Sequence, residues 1–426
     1  MTHITLDFLQ GFLREEYPDV TLQGFEGAPG SKRGDNYTSM VYRITLKGVQ
    51  KITTDDSEEI ETPWEGSIIY KCLPESVVMR EAFKSDELFC NEVAFYNKIW
   101  PTLSKFQSRW GSVKDPFNSI PKCYLARNDC VILKDLKQEG FAMPDRKQGL
   151  TVEQAYVVLK NLAHFHALSL AMKCHSPDEF YELLNSKDGI SEVFFLSEND
   201  DYYKEYYREA IHNAIVMVEE ELQDTDGKEV YLDKFREFCS EDTFFKTMVD
   251  LVAPSEPLAV ICHGDCWTNN FLFRNEDGAI AEMYIVDFQL VRYASPALDL
   301  AYIMYLCLER WQRAEHLTPM LRHYTAELHQ RLLELSDEDS LFCGALNEEA
   351  LYELLLKEFK QKSRFGLGMA LDMYPIMTCD SNEAPNLYQS KDNETTSSIQ
   401  PVWTSNAACR RKMTDLVQEL VDEGSL

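Results

Sequence analysis

The chain has 426 residues, enough for about two or three domains of ordinary size or for one enzyme with two lobes around a cleft. Hydrophobic residues make up 45% and charged residues 27% of the sequence, so neither a largely disordered nor a fibrous protein fits. The formal net charge is −29, and such an acidic surface repels nucleic acid and anionic lipid. These values indicate a globular protein that does not bind nucleic acid.

The N-terminal sequence has no basic region followed by an apolar run, and no later stretch reaches the roughly 18 apolar residues that span a bilayer. The 12 cysteines include no C-x-x-C pair, which argues against a zinc site and a compact disulfide framework. We therefore expect a cytoplasmic protein without a membrane span, and nothing in the sequence points to an obligate protein partner.

The first third of the chain has the pattern of a sheet with one main helix. The predicted order is a turn-rich loop at 24–38, strands at 40–46 and 67–72, a helix at 78–98, and strands at 122–126 and 130–136. These elements predict an N-terminal lobe over residues 1–136.

From Thr151 the sequence becomes mostly helical, and Thr151 and Gln154 match the capping box that begins many helices. The later predicted elements are a helix in 198–226, strands at 258–264, 271–274 and 281–288, helices after Asp299, and a polar low-complexity loop at 380–406. The whole pattern predicts an α+β fold with an enlarged helical C-terminal lobe over residues 137–426.

The densest chemical signal is the segment HGDCWTNNFLFRNEDGAIAEMYIVDFQ at 263–289. A hairpin between two strands brings its ends together, so that Asn270 and Asp287 face the same point. Two hard oxygen donors suit Mg²⁺ bound with phosphate, because Mg²⁺ takes few protein ligands and fills its shell with water and substrate oxygens. Asp265 then remains to accept a hydroxyl proton, as phosphoryl transfer from ATP requires.

The other parts of such a site are expected in the first lobe. Lys71 ends a predicted strand and suits the phosphates of ATP, while Glu92 on the following helix suits a partner for that lysine. Taken alone, Lys71 is more typical of a solvated strand end and Glu92 of a helix surface. Their order relative to the 263–289 segment favours the functional interpretation.

These residues resemble the CHK kinase-like, or ecdysteroid kinase-like, group, which is related to choline kinases and aminoglycoside phosphotransferases. The resemblance spans nearly the whole chain. It is carried by GDNYTS (34–39), IIYK (68–71), Glu92 followed by Phe95 and Tyr96, KDL (134–136), LAHFHALS (162–169), HGDCWTNN (263–270), VDFQL (286–290) and SPALDLAY (295–302).

The resemblance implies a protein-kinase-like bilobal fold that binds ATP and Mg²⁺ and phosphorylates a small-molecule hydroxyl. By motif position, Asp265 resembles the catalytic base and Asn270 and Asp287 the Mg²⁺ ligands. The expected nucleotide-binding residues are Lys71, Glu92, Gly34, Asn36, Ser39 and Asp135, and the expected supports of the catalytic loop are His263 and Asp299. The family usually has an acidic residue at the position of Lys134. The stretch 34–39 lacks G-x-G-x-x-G spacing, so its place over the phosphates rests on the resemblance.

Within small molecules, the resemblance favours an ecdysteroid or a similar steroid alcohol as the acceptor. A detoxifying kinase for foreign alcohols or phenols would use the same machinery, and a choline-like kinase would need an aromatic or acidic cage for the cation. A pseudokinase that only binds a lipophilic ligand is the non-enzymatic alternative. The presence of Asp265, Asn270, Asp287 and Lys71 argues against it.

Three further groups have a structural and a functional interpretation. His166 is more typical of a hydrogen-bonded core or interlobe residue than of a base. Cys262 and Cys266 flank the catalytic loop, and their pattern favours packing. The tyrosines at 202, 203, 206 and 207 can line an acceptor pocket, but a helix that packs its aromatic stripe is the commoner case.

Overall fold

The computed structural model describes residues 4–31, 38–53, 59–336, 347–380 and 405–426. The N-terminal elements are α1 (Leu6–Leu13), β1 (Val20–Pro29), β2 (Met40–Thr53), β3 (Glu59–Cys72), α2 (Val77–Ala82), α3 (Ser85–Ala94), α4 (Trp100–Gln107), β4 (Cys123–Arg127) and β5 (Cys130–Lys134). The strands form one antiparallel sheet in the order β1-β2-β3-β5-β4. This arrangement confirms the predicted α+β class and its antiparallel N-terminal sheet.

The two faces of this sheet are covered by different elements, because successive side chains of a strand point to opposite sides. Ile68 and Ile132 lie on the face that packs with Leu9 and Leu13 of α1. Val131, which is paired with Lys71, lies on the other face and joins the large core that includes α3. The sheet therefore presents Lys71 toward α3.

The prediction of a turn-rich loop over 24–38 is wrong for its first part, because 24–29 belong to β1. The glycines and Pro29 are tolerated there because β1 is an edge strand, where one side of the backbone needs no ladder partner. The register shifts between Leu22 and Gly24, as at a β-bulge. Residues 32–37 lie outside the described range.

The single helix predicted over 78–98 is divided. Lys84 adopts the left-handed conformation, with φ of 49°, and separates α2 from α3. After α3 the chain forms a π-helical turn, Phe95–Ile99, that leads into α4. Pro101 begins this last helix and cannot donate a backbone hydrogen bond into the preceding turn.

The other described residues form mostly helices, together with two small two-stranded antiparallel sheets. The elements are α5 (Val152–His175), α6 (Pro177–Leu184), α7 (Asp200–Glu221), α8 (Lys228–Phe238), α9 (Phe244–Val252), β6 (Val260–Cys262), β7 (Phe271–Glu276), β8 (Ala279–Ile285), β9 (Arg292–Ala294), α10 (Ala297–Tyr302), α11 (Arg310–Glu334), α12 (Glu348–Lys362), α13 (Arg364–Thr378) and α14 (Ala407–Asp422). The capping box of Thr151 and Gln154 is present with both of its bonds, which confirms the start of α5. Most of the predicted loop at 380–406 lies outside the described residues.

The hairpin of β7 and β8 follows from its turn residues. Glu276 pairs with Ala279, which leaves Asp277 and Gly278 as a two-residue turn. Both turn residues have positive φ, 52° and 84°, as this tight reversal requires. Among the described residues, no helix is long and apolar enough to cross a membrane.

Candidate active site

The loop after β6 is held by one buried carboxylate, that of Asp299 on α10. Its oxygens accept the backbone N–H groups of His263, at 2.7 Å, and Gly264, at 2.9 Å. His166 Nε2 lies 3.1 Å from the same carboxylate, and its other ring nitrogen lies 2.7 Å from Tyr324 Oη. Burial by itself raises the pKa of Asp299, but the contact with His166 and the Gly264 N–H bring it below the ordinary value. Asp299 thus braces the loop, and His166 has the hydrogen-bonded core position that its pattern favours.

Gly264 and His263 fix the path of this loop in different ways. Gly264 has φ of 86°, and a Cβ there would lie 1.9 Å from the carbonyl oxygen of Leu290, so only glycine fits. His263 Nδ1 accepts the N–H of Asp265 at 3.2 Å, and its Nε2 lies 2.9 Å from the carbonyl oxygen of Val286. His263 therefore connects the loop to the residue after β8, and its role as a support of a catalytic loop stays a prediction.

Asp265 lies partly buried, with both carboxylate oxygens in contact with donors. Tyr302 Oη donates to Oδ1 at 2.7 Å, and Asn270 Nδ2 donates to Oδ2 at 2.9 Å. Burial and the nearby charge of Asp287 raise the pKa of Asp265, while these two donors oppose the rise. Two donors therefore fix the orientation of the Asp265 carboxylate, which still has lone pairs that can accept a proton.

Sequence reasoning missed Tyr302 as a site residue. Tyr302 follows Asp299 by three residues on α10, so both side chains lie on one helix face and reach the same loop. A tyrosine at that spacing after a loop-bracing acid is the signal that could have found it.

The hairpin brings Asn270 and Asp287 together, as predicted. Phe271 pairs with Ile285, and the N–H of Val286 donates to the carbonyl oxygen of Asn270 at 3.0 Å. Asp287 follows directly and has φ of 69°, a conformation that costs a residue with a Cβ about 1 kcal/mol.

Lys71 joins the sheet to this hairpin. Its Nζ lies 2.8 Å from Glu92 Oε2 and 2.7 Å from Asp287 Oδ1. Lys71 is 4% and Glu92 0% exposed, so neither is the surface residue that each suggests alone. Burial would lower the pKa of Lys71, but the two carboxylates raise it above its ordinary value. Burial and the charge of Asp287 raise the pKa of Glu92.

The donor set suits a hard divalent cation. Because Asn270 uses its amide nitrogen toward Asp265, its amide oxygen is left for another partner. Asp287 contacts Lys71 through one oxygen, and its side chain keeps 23% exposure. Amide and carboxylate oxygens of this kind fit Mg²⁺ with phosphate. The roles of Asn270 and Asp287 as ligands, and of Asp265 as base, stay predictions.

Two of the remaining predicted nucleotide residues, Asp135 and Ser39, lie next to the sheet. Asp135 accepts hydrogen bonds from Arg43 Nε and Ser67 Oγ, both at 2.6 Å, and from the N–H of Lys137 at 3.1 Å. It therefore ties β2 and β3 to the segment after β5, and a contact of its carboxylate with nucleotide stays a prediction. Ser39 is buried just before β2.

Two other predicted nucleotide residues, Gly34 and Asn36, lie outside the described residues. Lys134, where the family usually has an acid, pairs with Glu139.

The tyrosines and cysteines have packing roles in this structure. Tyr203 and Tyr207 are buried, and Tyr203 stacks on Phe245 with ring centroids 5.7 Å apart. Cys262 and Cys266 are completely buried, and burial raises the pKa of both thiols well above the ordinary value.

The chain was compared with curated proteins and with solved structures. A search of curated proteins found no match. Among solved structures, Plasmodium vivax ethanolamine kinase is 10% identical, with a TM-score of 0.39 and coverage of 94% of this chain and 84% of that one. The GDP complex of aminoglycoside 2'-phosphotransferase-IIIa is 11% identical, with a TM-score of 0.39 and coverage of 99% and 100%.

The family comparison gives a match over a long range. The family model described as ecdysteroid kinase-like matches residues 33–336. That range is most of the chain and contains every residue of the candidate site, from Gly34 to Asp299. The chain therefore belongs to the ecdysteroid kinase-like family.

Proposed function

We propose that the protein is an ATP- and Mg²⁺-dependent kinase that transfers the γ-phosphoryl group to a hydroxyl of an ecdysteroid or a similar steroid alcohol. One observation carries the proposal: Lys71 Nζ lies between Glu92 and Asp287, at 2.8 and 2.7 Å. A buried lysine between two carboxylates is held in a fixed place and stays charged, as a phosphate-binding lysine must. Membership of the ecdysteroid kinase-like family supports the acceptor class.

In the proposed reaction, the acceptor oxygen attacks the γ-phosphorus, ADP leaves, and Asp265 accepts the hydroxyl proton. Tyr302 and Asn270 hold Asp265 for this step. Mg²⁺, held by Asn270 and Asp287, would neutralise charge on the phosphates. We also propose a cytoplasmic location, because the reaction consumes ATP.

The test is mass spectrometry of the purified protein incubated with Mg-ATP and a mixed panel of acceptors. The panel contains ecdysteroids, other steroid alcohols, plant phenols, choline and an aminoglycoside, and the Asp265→Asn variant is the control. We expect a phosphorylated ecdysteroid or steroid alcohol with the native protein and none with the variant. Transfer to phenols alone would replace the steroid proposal with detoxification. Equal products from the variant would contradict the role of Asp265.

A further inference from the structure

Asn91, next to Glu92 on α3, makes three directional contacts although its side chain is only 2% exposed. Its Nδ2 donates to the carbonyl oxygen of Ser191 at 2.8 Å and to that of Gln289 at 3.2 Å. Its Oδ1 accepts the N–H of Ser191 at 2.9 Å. The partners of this side chain among the described residues are therefore backbone groups of distant segments.

One of these partners belongs to the segment that carries a proposed phosphate-site residue. Gln289 follows Asp287 by two residues, so one hydrogen bond ties the helix that carries Glu92 to the segment that carries Asp287. Lys71 Nζ lies between those two carboxylates. Asn91 and Glu92 are neighbours on α3 and point in directions about 100° apart. Because the helix turns as one body, contacts that fix the direction of Asn91 also fix the direction of Glu92 toward Lys71.

The second partner segment, residues 190–195 between α6 and α7, is itself held in place. Glu192 Oε1 accepts the N–H groups of Phe194 and Phe195, both at 2.9 Å. Glu192 Oε2 lies 3.1 Å from Arg292 Nε on β9. Ser191 therefore offers Asn91 a fixed pair of backbone groups that belongs to the helical part of the chain.

A nearby apolar contact cannot replace this link. Phe95 stacks on Phe288 with ring centroids 3.7 Å apart and planes 5° from parallel. Stacked rings hold two segments together but tolerate sliding and rotation, whereas three hydrogen bonds to backbone specify one orientation. Loss of the Asn91 side chain would also remove the Nδ2 donor from the carbonyl oxygen of the buried Gln289.

We propose that Asn91 is a positioning residue that sets the contacts of Lys71 with Glu92 and Asp287 by fixing α3 against the segments at Ser191 and Gln289. This inference rests on the proposed function, because it assigns those contacts to binding of the ATP phosphates. It predicts that Asn91 controls affinity for the phosphates and has little influence on affinity for the nucleoside.

The test compares calorimetric affinities for Mg-ATP and for adenosine in the native protein and in three variants. Asn91→Ala removes all three bonds. Asn91→Asp keeps the side-chain shape and the acceptor for the Ser191 N–H but loses both donated bonds. If the alanine variant is recovered poorly, the aspartate variant still tests the positioning role of Asn91. Lys98→Met is the matched control, because it removes an exposed ion pair of 3.2 Å with Asp188.

We expect both Asn91 variants to weaken Mg-ATP binding about tenfold, the equivalent of about 1.4 kcal/mol, with adenosine affinity within about twofold of native. Lys98→Met should change neither. Equal weakening of ATP and adenosine would indicate a merely structural role and overturn the inference, as would unchanged ATP affinity. A native protein that binds adenosine as tightly as Mg-ATP would contradict the proposed function itself, and the inference with it.

Discussion

The two halves of the candidate site are built in opposite ways. Asp265, Asn270 and Asp287 lie on one loop and one hairpin, where strand register brings them together. Lys71 and Glu92 come from a strand and a helix of the N-terminal part, and 216 positions separate Lys71 from the Asp287 that it contacts. The local half needs only a correct hairpin, whereas the remote half needs the sheet, α3 and the hairpin to meet. Changes in the local half should therefore affect chemistry, and changes in the remote half should affect both chemistry and stability.

The largest effect is expected for Asp265→Asn in the local half. Loss of the proton acceptor should lower kcat by about 100- to 10,000-fold, while the free energy of unfolding stays near the native value because the amide keeps the shape. Steady-state turnover of the acceptor found by mass spectrometry measures the first quantity, and urea unfolding the second.

Asp277→Asn is the matched control for this change, because Asp277 is an exposed turn residue of the same hairpin. It should retain native turnover. Substantial turnover by Asp265→Asn would remove Asp265 from the role of base.

The remote half should respond to Lys71→Met in two ways. Turnover should fall by about 100-fold because a charge on the phosphates is lost, and the free energy of unfolding should fall by about 3 kcal/mol, because Glu92 is left buried without its counter-charge. Adding Glu92→Gln to Lys71→Met should recover much of the stability and none of the turnover. Chemical denaturation of the single and double variants measures this difference.

Glu87→Gln is the control, because Glu87 is an exposed residue of α3, the helix that carries Glu92. This variant should have native stability and native turnover. A Lys71→Met variant as stable as the native protein would show that the remote half contributes no more to the free energy of unfolding than the local half does.

A smaller effect is expected for Tyr302→Phe, which removes one of the two donors to Asp265. We expect kcat to fall about 5- to 20-fold with little change in the KM for ATP. This is less than the full worth of one hydrogen bond to a charged group, about 1.5–3 kcal/mol, because Asn270 still holds the carboxylate. Initial-rate kinetics with varied ATP measures both constants.

Tyr305→Phe provides the comparison, because the buried Tyr305 hydroxyl has no hydrogen-bond partner among the described residues. Its kcat should equal the native value. An equal loss in both variants would mean that general packing, rather than the hydrogen bond, accounts for the effect.

The smallest effect concerns Asp372 on α13, which belongs to neither half. Burial raises the pKa of Asp372 to about 7, against an ordinary value of 3.8. Between these values the folded protein holds a proton that the unfolded chain has released, so stability should fall as pH rises from about 4 to 7 and then level off. Asp372→Asn should remove this loss and gain about 1–2 kcal/mol above pH 7, less than full conversion of the shift because the side chain is partly exposed.

Thermal unfolding of both proteins across this pH range measures the gain from Asp372→Asn. A native pH profile that is parallel to that of the variant would contradict the assignment.

The elements with strong local signals were predicted well. The capping box of Thr151 located the start of α5, and the hairpin predicted within 263–289 is present as β7 and β8. The edge strand β1 was missed because its glycines and proline have the composition of a turn, and only pairing with β2 makes them a strand. The interruption at Lys84 was missed because hydrophobic spacing continues through it.

Local sequence patterns identify the carboxylates, the amide and the lysine of the candidate site, and the hairpin that joins Asn270 to Asp287. They can do so because hairpin register depends on neighbouring residues and turn geometry. The contacts that hold those groups, including Tyr302 on Asp265 and the three bonds of Asn91, are set by tertiary packing. Those contacts join backbone and side chains far apart in the chain, and no local pattern encodes which distant surfaces meet when the core closes.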